Sequence, residues 1–440
     1  VNNIPEVQNF AFSNIGVYVD TLGRTKPITG SGYAPTGTTD IIIGIEAAEK
    51  TNAKAIKIGN NILKPFLDTN PSGKLKFYSG SLTWQATYDE GDVAVNGEET
   101  VLMAKYPYTK YANDSDLYNF TDGLEQRYGA DTYGDRGARE KLLFNKLNDI
   151  GKGETHIFAQ AVNEMKGYQY SNTQQRINET GSLLDKEFSY LQDQWRNPSK
   201  DSNKIKVFGM RNEYNTDTAG VIDNESNAYG VAYVHEKEDV RMGHSQGWYA
   251  GAVNNHYKFK DLGGSRENQT MVKAGVFKTM SPAKDHNGAL QWTIAGDVFA
   301  GRNEMKRRFW IVDDTFNAKS DYYSYGAALK TDLGYDIRTS ERTHLRPYGA
   351  LKVEYGRFTD IKEDDGEIRL TVDGNDYISV KPEVGVEFKY VQPMALKTNL
   401  SVGLTAAYTD ELGKVNELNK AKVRYTTADW YNLKNEKEDR

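Results

Sequence analysis

The 440-residue chain contains no cysteine, which excludes disulfides, cysteine metal ligands and a cysteine nucleophile. Its six histidines are scattered, and no two have the spacing of a zinc-binding HExxH helix. The acidic segments 363–367 and 373–376 resemble calcium loops in composition but lack the ligand spacing of an EF-hand. No glycine-rich phosphate loop precedes a helix, so we expect neither a metal nor another cofactor. The histidines are His156, His235, His244, His256, His286 and His344.

A long apolar run is also missing. No segment approaches the roughly 18 residues that a membrane-spanning helix needs, so helical spanning is excluded. A transmembrane β-barrel escapes this test, because only every second residue of its strands is apolar. The net charge of −6 is small for this length and argues against nucleic acid as a partner. The chain begins at Val1 without a signal peptide, so we expect any export signal to lie upstream.

What the sequence does contain is a series of long alternating segments from Lys204 to its end. In residues 378–390, Val384 and Phe388 lie on an apolar face, whereas Lys381 and Glu387 lie on the opposite face. Such strands exceed the five or six residues usual in soluble sheets, and they suit a membrane crossing with a polar lumen. Ten strands are predicted near 204–216, 226–240, 245–261, 266–281, 288–311, 320–340, 342–361, 375–392, 394–411 and 421–433.

The connections between these strands alternate between short and long. Residues 339–341 and 392–394 form tight turns, whereas 360–376 is a long polar loop, and this alternation is typical of outer-membrane barrels. Aromatic residues gather near strand ends, as membrane-interface girdles would. They are Trp248, Trp292, Trp310, Tyr322, Tyr323, Tyr355, Tyr390 and Tyr408.

A helical region precedes the strands. Apolar spacing predicts helices at 119–128, 138–150 and 154–166, and a longer one at Ile177–Trp195 that ends before Pro198. The longest helix spans about 30 Å, the thickness of a bilayer core. It could lie on a core as an ordinary amphipathic helix or pass through a barrel. Residues 1–103 contain short strands, including one at 92–97, which fit either a β-helix or a small irregular β domain.

Four segments carry a family resemblance: residues 172–178, 184–188, 206–214 and 346–351. They resemble the C-terminal translocator of type V autotransporters, most closely the large fusobacterial ones, over about half the chain from near Ala138 onwards. The resemblance implies a twelve-stranded antiparallel barrel in the outer membrane with an α-helix in its pore. Members of that family end on a closing strand with a terminal aromatic residue. This chain ends in a charged segment, so we expect about ten strands here and two missing ones.

The resemblance also implies partners. These are outer-membrane lipid, the chain's own passenger and pore helix, the barrel-assembly machinery, periplasmic chaperones and a possible host receptor bound through the passenger. Some relatives cleave the passenger by cyclising an asparagine that an acid activates inside the pore. The local candidates are Asn178 and Asn197, but neither lies in the Asn-Asn pair typical of that subgroup. We expect the passenger to stay attached and assign no cleavage residue.

Residues 243–247 match G-x-S-x-G, the nucleophile elbow of α/β-hydrolases. That motif requires a strand-to-helix turn, but residues 248–259 are predicted to form a strand, so Ser245 should lie in a hairpin. We therefore predict no catalytic residue and no enzyme. The charged inward residues are a better functional candidate, because they can hold the helix by polar contacts. They are Lys330, Asp332, Arg346, Lys352, Glu354, Lys381, Glu383, Glu387 and Lys389.

The sequence as a whole predicts an all-β fold with a helical linker in three parts. Residues 1–105 form the tail of a β-helical or irregular passenger, 106–203 the helical linker with its pore helix 177–195, and 204–440 the barrel. The predicted function is a translocator and anchor that displays its N-terminal passenger, an adhesin, at the cell surface. The alternative is a porin-like or helix-plugged transport barrel.

Overall fold

In the computed structural model, one curved antiparallel sheet dominates the chain. The structure describes residues 10–436 except 31–32, 70–73, 91–97, 131–136, 194–200, 239–243, 283–284, 286 and 396–397. Three predicted features therefore lie outside the described residues: the strand at 92–97, Trp195 and Asn197. Strands and helices are numbered in chain order. The sheet consists of β7 (Asp201–Tyr214), β8 (Asn224–Glu238), β9 (Ser245–Phe259), β10 (Arg266–Met280), β11 (Gly288–Ile311), β12 (Asp314–Arg338), β13 (Thr343–Phe358), β17 (Asp376–Pro393) and β18 (Asn399–Thr409).

Each of these strands pairs with its predecessor in this series, from β7 to β18, so the described sheet forms an open half-barrel with β7 and β18 at its edges. The prediction of long antiparallel strands is confirmed. The count of about ten agrees with the sheet, because nine strands form this path and one further short strand, Asp365–Gly366, pairs with β12. The predicted strand 421–433 instead contains two short strands, β19 (Lys420–Val423) and β20 (Tyr431–Asn432), in a separate sheet. Ala421 and Val423 bury their side chains there rather than facing lipid.

The outer face of the half-barrel is apolar and exposed. Val207, Val276, Leu329 and Leu404 each keep more than 60% of their surface exposed. An uncovered apolar band of this kind on alternating positions is the lipid-facing surface of a membrane barrel. Tyr322 is an exception among the predicted girdle residues, because it points inward and is 1% exposed.

Four α-helices lie between the N-terminal part of the chain and the first strand of the large sheet. The α-helices of the described residues are α1 (Glu46–Glu49), α2 (Asn60–Asp68), α3 (Ser115–Arg127), α4 (Gly137–Asn148), α5 (Thr155–Met165) and α6 (Thr173–Asp193). Thus all four predicted helices are present in α3 to α6. Among the helices of the described residues, none is both long and apolar enough to span a membrane.

Helix α6 defines the two ends of the half-barrel. Near its start, Asn172 Nδ2 donates to the hydroxyl of Tyr214, the last residue of β7, at 3.4 Å. Near its end, Lys204 Nζ at the beginning of β7 donates to the carbonyl of Leu191 at 2.9 Å. We call the end where α6 begins the upper end and the other the lower end. The long loop 359–375 lies at the upper end, and the short turn 339–342 lies at the lower end.

A small sheet covers the upper end. It contains β14 (Ile361–Lys362), β16 (Leu370–Val372), β19 and β20, while β15 (Asp365–Gly366) pairs with β12. This sheet packs on α3, where the rings of Phe120 and Tyr431 lie 5.4 Å apart. Asn119 Nδ2 also donates to the carbonyl of Trp430 at 2.9 Å. The loops after β13 and β18 therefore fasten the linker helices to the barrel.

The described residues of the N-terminal part form two three-stranded sheets. In the first, β1, β2 and β4 are parallel, and in the second, β5 and β3 flank β6 in antiparallel pairing. Parallel neighbours are what successive coils of a β-helix would supply, and the β-helical passenger tail stays a prediction. The strands are β1 (Phe10–Val19), β2 (Tyr33–Ile43), β3 (Ala55–Ile58), β4 (Lys74–Ser79), β5 (Trp84–Asp89) and β6 (Thr100–Lys105).

A buried ion pair joins this part to α3. Lys105 Nζ lies 2.5 Å from Glu125 Oε2 and 3.5 Å from the ring centroid of Tyr108. Burial lowers the pKa of Lys105 to about 8, against the opposing charge of Glu125. Burial alone would raise the pKa of Glu125, but Lys105 and hydrogen bonds from Lys54 and the Tyr108 amide hold it below its usual value.

Candidate functional site

Helix α6 lies along the inner face of the half-barrel. It contacts β7, β8, β9, β10, β13 and β17. Gly167, with φ of 83°, turns the chain after α5, and Thr173 Oγ1 donates to the carbonyl of Tyr170 at 2.9 Å at the start of the helix. The predicted apolar stripe of Ile177, Leu184 and Leu191 is buried, yet the polar side of the helix is buried as well. The lumen therefore surrounds the helix with two chemically different walls.

The apolar wall is formed by β8 and β9. The ring of Phe188 lies 4.6 Å from that of Tyr249. Gly251 allows the helix to approach, because a Cβ atom there would come within 2.9 Å of both Leu184 and Phe188. Ala232 and Val253, both buried, complete this wall. Small and apolar residues at inward positions thus pack against one side of α6.

A charged cluster forms the opposite wall. Asp185 of α6 accepts from Lys273 Nζ on β10 at 2.8 Å and also from Lys352 on β13. Lys352 in turn lies 2.6 Å from Glu354 Oε2, and Asp297 lies 4.0 Å from Lys273. We call these five residues the Asp185 cluster. The two lysines meet three carboxylates away from bulk water, so each lysine is compensated by charge and by hydrogen bonds.

Neutral and charged hydrogen bonds continue towards the upper end. Arg176 Nε donates to Glu267 Oε2 at 2.7 Å, and both side chains are almost fully buried. Thr180 Oγ1 donates to Gln269 Oε1 at 2.7 Å and accepts from Asn255 Nδ2 at 3.1 Å. These contacts lie above the Asp185 cluster and fix the helix along its axis.

Several predicted lumen residues contact the helix. Lys330 Nζ donates to Ser189 Oγ at 2.9 Å, and Lys381 Nζ donates to Asn178 Oδ1 at 2.7 Å. Glu354 accepts from Asn178 Nδ2 at 2.9 Å, so an acid stands beside this asparagine. With Lys352, four of the nine predicted residues therefore bind α6.

Asp332, Arg346, Glu383 and Glu387, four of the other five predicted residues, bond to side chains of the strands. Arg346 pairs with Asp332 and, at 3.2 Å, with Glu387. Glu383 accepts from the Tyr348 and Thr409 hydroxyls at 2.6 and 2.9 Å. Lys389 lies opposite His344 on β13 near the lower end. Arg346, Glu387 and Lys389 belong to the lower parts of β13 and β17.

Sequence reasoning missed Asp185, Lys273, Arg176 and Glu267 as partners. A signal was present for Lys273, because a single lysine stands at an inward position between the buried Met271 and Phe277. Asp185 was placed away from the apolar stripe, but nothing in the sequence identified the strands that it would meet. Cross-sheet register is needed for that, and it arises only from tertiary pairing.

A further buried ion pair lies at the upper mouth. Arg307 of β11 donates to both carboxylate oxygens of Glu363 at 2.8 and 2.9 Å, and neither side chain is exposed. Arg307 also donates to the carbonyl of Met165 at 3.1 Å, while Tyr170 donates to Glu363 at 2.9 Å. The residues just before α6 are thereby bound to both the barrel and its upper loop.

The G-x-S-x-G match has no elbow geometry. Ser245 is the first residue of β9, and its hydroxyl donates to Glu236 Oε1 on β8 at 2.6 Å. A strand rather than a helix follows it. Ser245 pairs with Glu238 of β8 and so belongs to the strand, whereas residues 239–243 of the connection lie outside the described residues. Within those residues, no three His, Asp or Glu side chains are grouped to hold a metal ion.

The chain is similar to known proteins in sequence and in structure. The sequence profile of the autotransporter β-domain matches residues 205–440, more than half of the chain. Among solved structures, the translocator domain of the autotransporter NalP from Neisseria meningitidis is similar, at 11% identity and a TM-score of 0.41. That match covers 57% of this chain and 86% of the NalP domain. No functionally curated sequence matches this chain.

Proposed function

The chain belongs to the autotransporter β-domain family and is an outer-membrane translocator, and we propose that it secretes and displays its own N-terminal passenger at the cell surface. The observation that carries this proposal is the path of α6. It leads from the N-terminal part at the upper end, through the lumen, to the first strand at the lower end. A chain secreted through its own barrel would finish in this arrangement.

The proposal divides the chain into a passenger tail at 1–105, a linker at 106–203 and the barrel at 204–440. The passenger is an adhesin that contacts a host receptor, and it makes the protein's activity one of binding rather than catalysis. Chaperones and the barrel-assembly machinery deliver the barrel to the membrane. The buried Arg307–Glu363 pair and the α3 contacts of the small sheet support a fixed attachment of the linker at the upper end.

An epitope placed within residues 91–97 tests display. In intact cells that produce the complete protein, we expect the epitope to be accessible to antibody and to added protease. Deletion of the barrel strands should leave it inside the cell envelope. An epitope that stays inaccessible while the barrel is folded in the outer membrane would contradict secretion and favour the porin-like alternative, which solute flux through the barrel would then measure.

We also propose that the passenger stays attached. The contact between Asn178 and Glu354 makes this worth a separate test, because it brings an acid beside an asparagine in the lumen. Isolated outer membranes incubated without protease should retain one full-length band. Release of a passenger that stops in the N178A variant would show cleavage at this residue and overturn the proposal.

A further inference from the structure

The small sheet at the upper end has one buried face and one basic face. Alternate residues of its strands are buried, and the residues between them therefore point outward. The buried ones are Ile361, Leu370, Val372, Ala421, Val423 and Tyr431. On β19 the outward residues are Lys420 and Lys422, and Arg424 follows, so cations recur about every 7 Å along this strand. Arg369, just before β16, lies beside Arg424, whose amide donates to its carbonyl at 2.8 Å. We call these four cations the basic face.

The nearby carboxylates do not neutralise the basic face. Asp373 lies opposite Lys420 at one end of it, where the Asp373 amide donates to the Lys420 carbonyl at 3.0 Å. Asp364 and Asp429 are exposed in the loops beside the sheet. Among the residues that the structure describes, none of these three carboxylates forms an ion pair with a cation of the face. Because like charges side by side destabilise a sheet, a bound anion would stabilise this one.

Two exposed rings hold three of the cations in place. The guanidinium carbons of Arg369 and Arg424 lie 4.5 and 4.7 Å from the ring centroid of Tyr425, and Lys422 Nζ lies 4.8 Å from that of Trp430. Tyr425 has φ of 63°, a left-handed conformation that tyrosine adopts at a cost, and yet its side chain is 57% exposed. The ring thus contributes little to the core. It instead orders two guanidinium groups in advance of binding.

The two ordered arginines keep donors available for a ligand. Each gives one N–H to a backbone carbonyl of the loop that follows β14, at 3.4 Å for Arg369 and 2.5 Å for Arg424. A guanidinium group carries several further N–H donors, and these bind an oxyanion in a bidentate manner. The face therefore combines closely spaced positive charge with directed donors.

We propose that the basic face binds a sulfated polysaccharide. A protein partner is less suited to it, because protein interfaces are anchored by apolar side chains in pockets, whereas the outward positions of these four strands hold no aliphatic residue. Single-stranded nucleic acid stacks its bases on aromatic rings, but here the protein's own cations lie against both rings. A polysaccharide is polar along its length and needs neither feature.

Sulfate is the group that best fits cations at this spacing, because it stays charged and offers several acceptor oxygens. That the face meets such a polysaccharide outside the cell rests on the proposed function. The binding itself is a property of the small sheet and can be measured on the purified protein.

Binding to the complete protein in detergent is measured with heparin, hyaluronan, single-stranded DNA and polyglutamate as probes. We expect heparin to bind most tightly and its affinity to fall as salt rises. K422Q/R424Q should bind heparin about tenfold more weakly or worse, since each lost hydrogen bond to a charged group weakens binding by roughly that factor. Equal binding of hyaluronan would contradict the choice of sulfate. Equal binding of DNA or polyglutamate would overturn the polysaccharide.

The matched control is K258Q/K306Q, which removes two exposed lysines from the upper ends of β9 and β11. It changes the net charge as much as K422Q/R424Q does and should leave heparin binding unchanged. Equal losses in the two double variants would show a net-charge effect and overturn the proposal.

Y425N separates binding from folding. Asparagine adopts positive φ more readily than tyrosine, so we expect the free energy of unfolding to stay the same or rise while heparin binding weakens. A loss of stability with unchanged binding would show that the ring serves the fold and would contradict the proposal. Heat-modifiable gel mobility confirms that each variant is folded. Because binding in detergent does not depend on secretion, this test and the epitope test fail independently.

Discussion

Helices α5 and α6 are both buried, but by different chemistry. The buried residues of α5 are apolar: Phe158, Ala161, Val162 and Met165. Helix α6 instead buries charged and amide side chains around its polar side, including Arg176, Asn178 and Glu187. Water cannot replace an apolar core, whereas it can replace polar contacts one by one at a small net free energy each. Helix α5 is therefore held mainly by apolar packing, whereas α6 combines an apolar stripe with polar and charged contacts on its other side.

The two kinds of contact also differ in how precisely they fix the position of a helix. Apolar packing is non-directional, so it fixes α5 against its neighbours without selecting one register. The Asp185 cluster and the Arg176–Glu267 pair are directional and leave a carboxylate or cation uncompensated when the helix shifts. They therefore select one position of α6 along its axis. Four predictions test this contrast.

Removal of the central carboxylate should have the largest effect. D185A leaves Lys273 and Lys352 without their main partner on the helix, and breaking such a buried pair costs about 3–5 kcal/mol. We expect faster hydrogen exchange of the amides of 173–193 and a larger pore conductance in the complete protein. The control is K186A, which removes an exposed charge from the adjacent position. If K186A and D185A exchanged equally fast, the cluster would not hold the helix.

Truncation of Phe158 in the apolar core should destabilise the linker region rather than α6. F158A removes a ring that lies 5.0 Å from that of Tyr111 and 6.0 Å from that of Tyr108. We expect the linker region to lose about 3 kcal/mol in its free energy of unfolding. Urea unfolding followed by hydrogen exchange resolves this loss, with Y118A, at an exposed tyrosine, as the control. Exchange within α6 should not change, and a coupled change would show that the two helices form one unit.

Loss of the single hydrogen bond between Lys330 and Ser189 should destabilise α6 less than loss of Asp185. K330M removes the hydrogen bond from Lys330 to Ser189 and keeps most of the side chain's volume. The expected cost is about 1 kcal/mol, seen as a slight increase in exchange at the last turn of α6 alone. S189A should reproduce it, and the double variant should cost no more than either single one. Additive losses would mean that the two residues act separately.

The smallest expected effect is that of acid on the ion pair between Lys105 and Glu125. The folded pKa of Glu125 lies below its usual 4.5, so this residue adds stability above pH 4.5 that is lost as the pH falls through the folded value. We expect the free energy of unfolding of the linker region to fall with decreasing pH in that window. In K105M/E125Q the fall should be shallower. An unchanged slope would assign the acid sensitivity to other carboxylates.

Local pattern was enough to predict much of this structure. Alternation identified the strands and their lipid-facing sides, as at Val384 and Phe388, and helical spacing found α3 to α6. It failed at 421–433, where alternation continues over too few residues to distinguish a barrel strand from a surface strand. It also failed for Tyr322, whose ring faces the lumen.

The site was predicted less completely than the fold. Lys352 and Lys381 were placed on the inner face by alternation, and the structure brings both to α6. Their partners Asp185 and Asn178 depend on the height and rotation of the helix within the lumen. Neither quantity is encoded in local spacing, because both result from packing at Gly251 and Tyr249.

The position of α6 can be measured directly by disulfide formation, since the chain has no cysteine of its own. Asn255 is buried and donates to Thr180, whereas the neighbouring Asn254 points outward to Thr270. In outer membranes containing the complete protein, oxidation should cross-link T180C/N255C and change its gel mobility, while T180C/N254C should stay uncross-linked. Equal cross-linking of the two pairs, or none in T180C/N255C, would contradict a helix seated in the lumen.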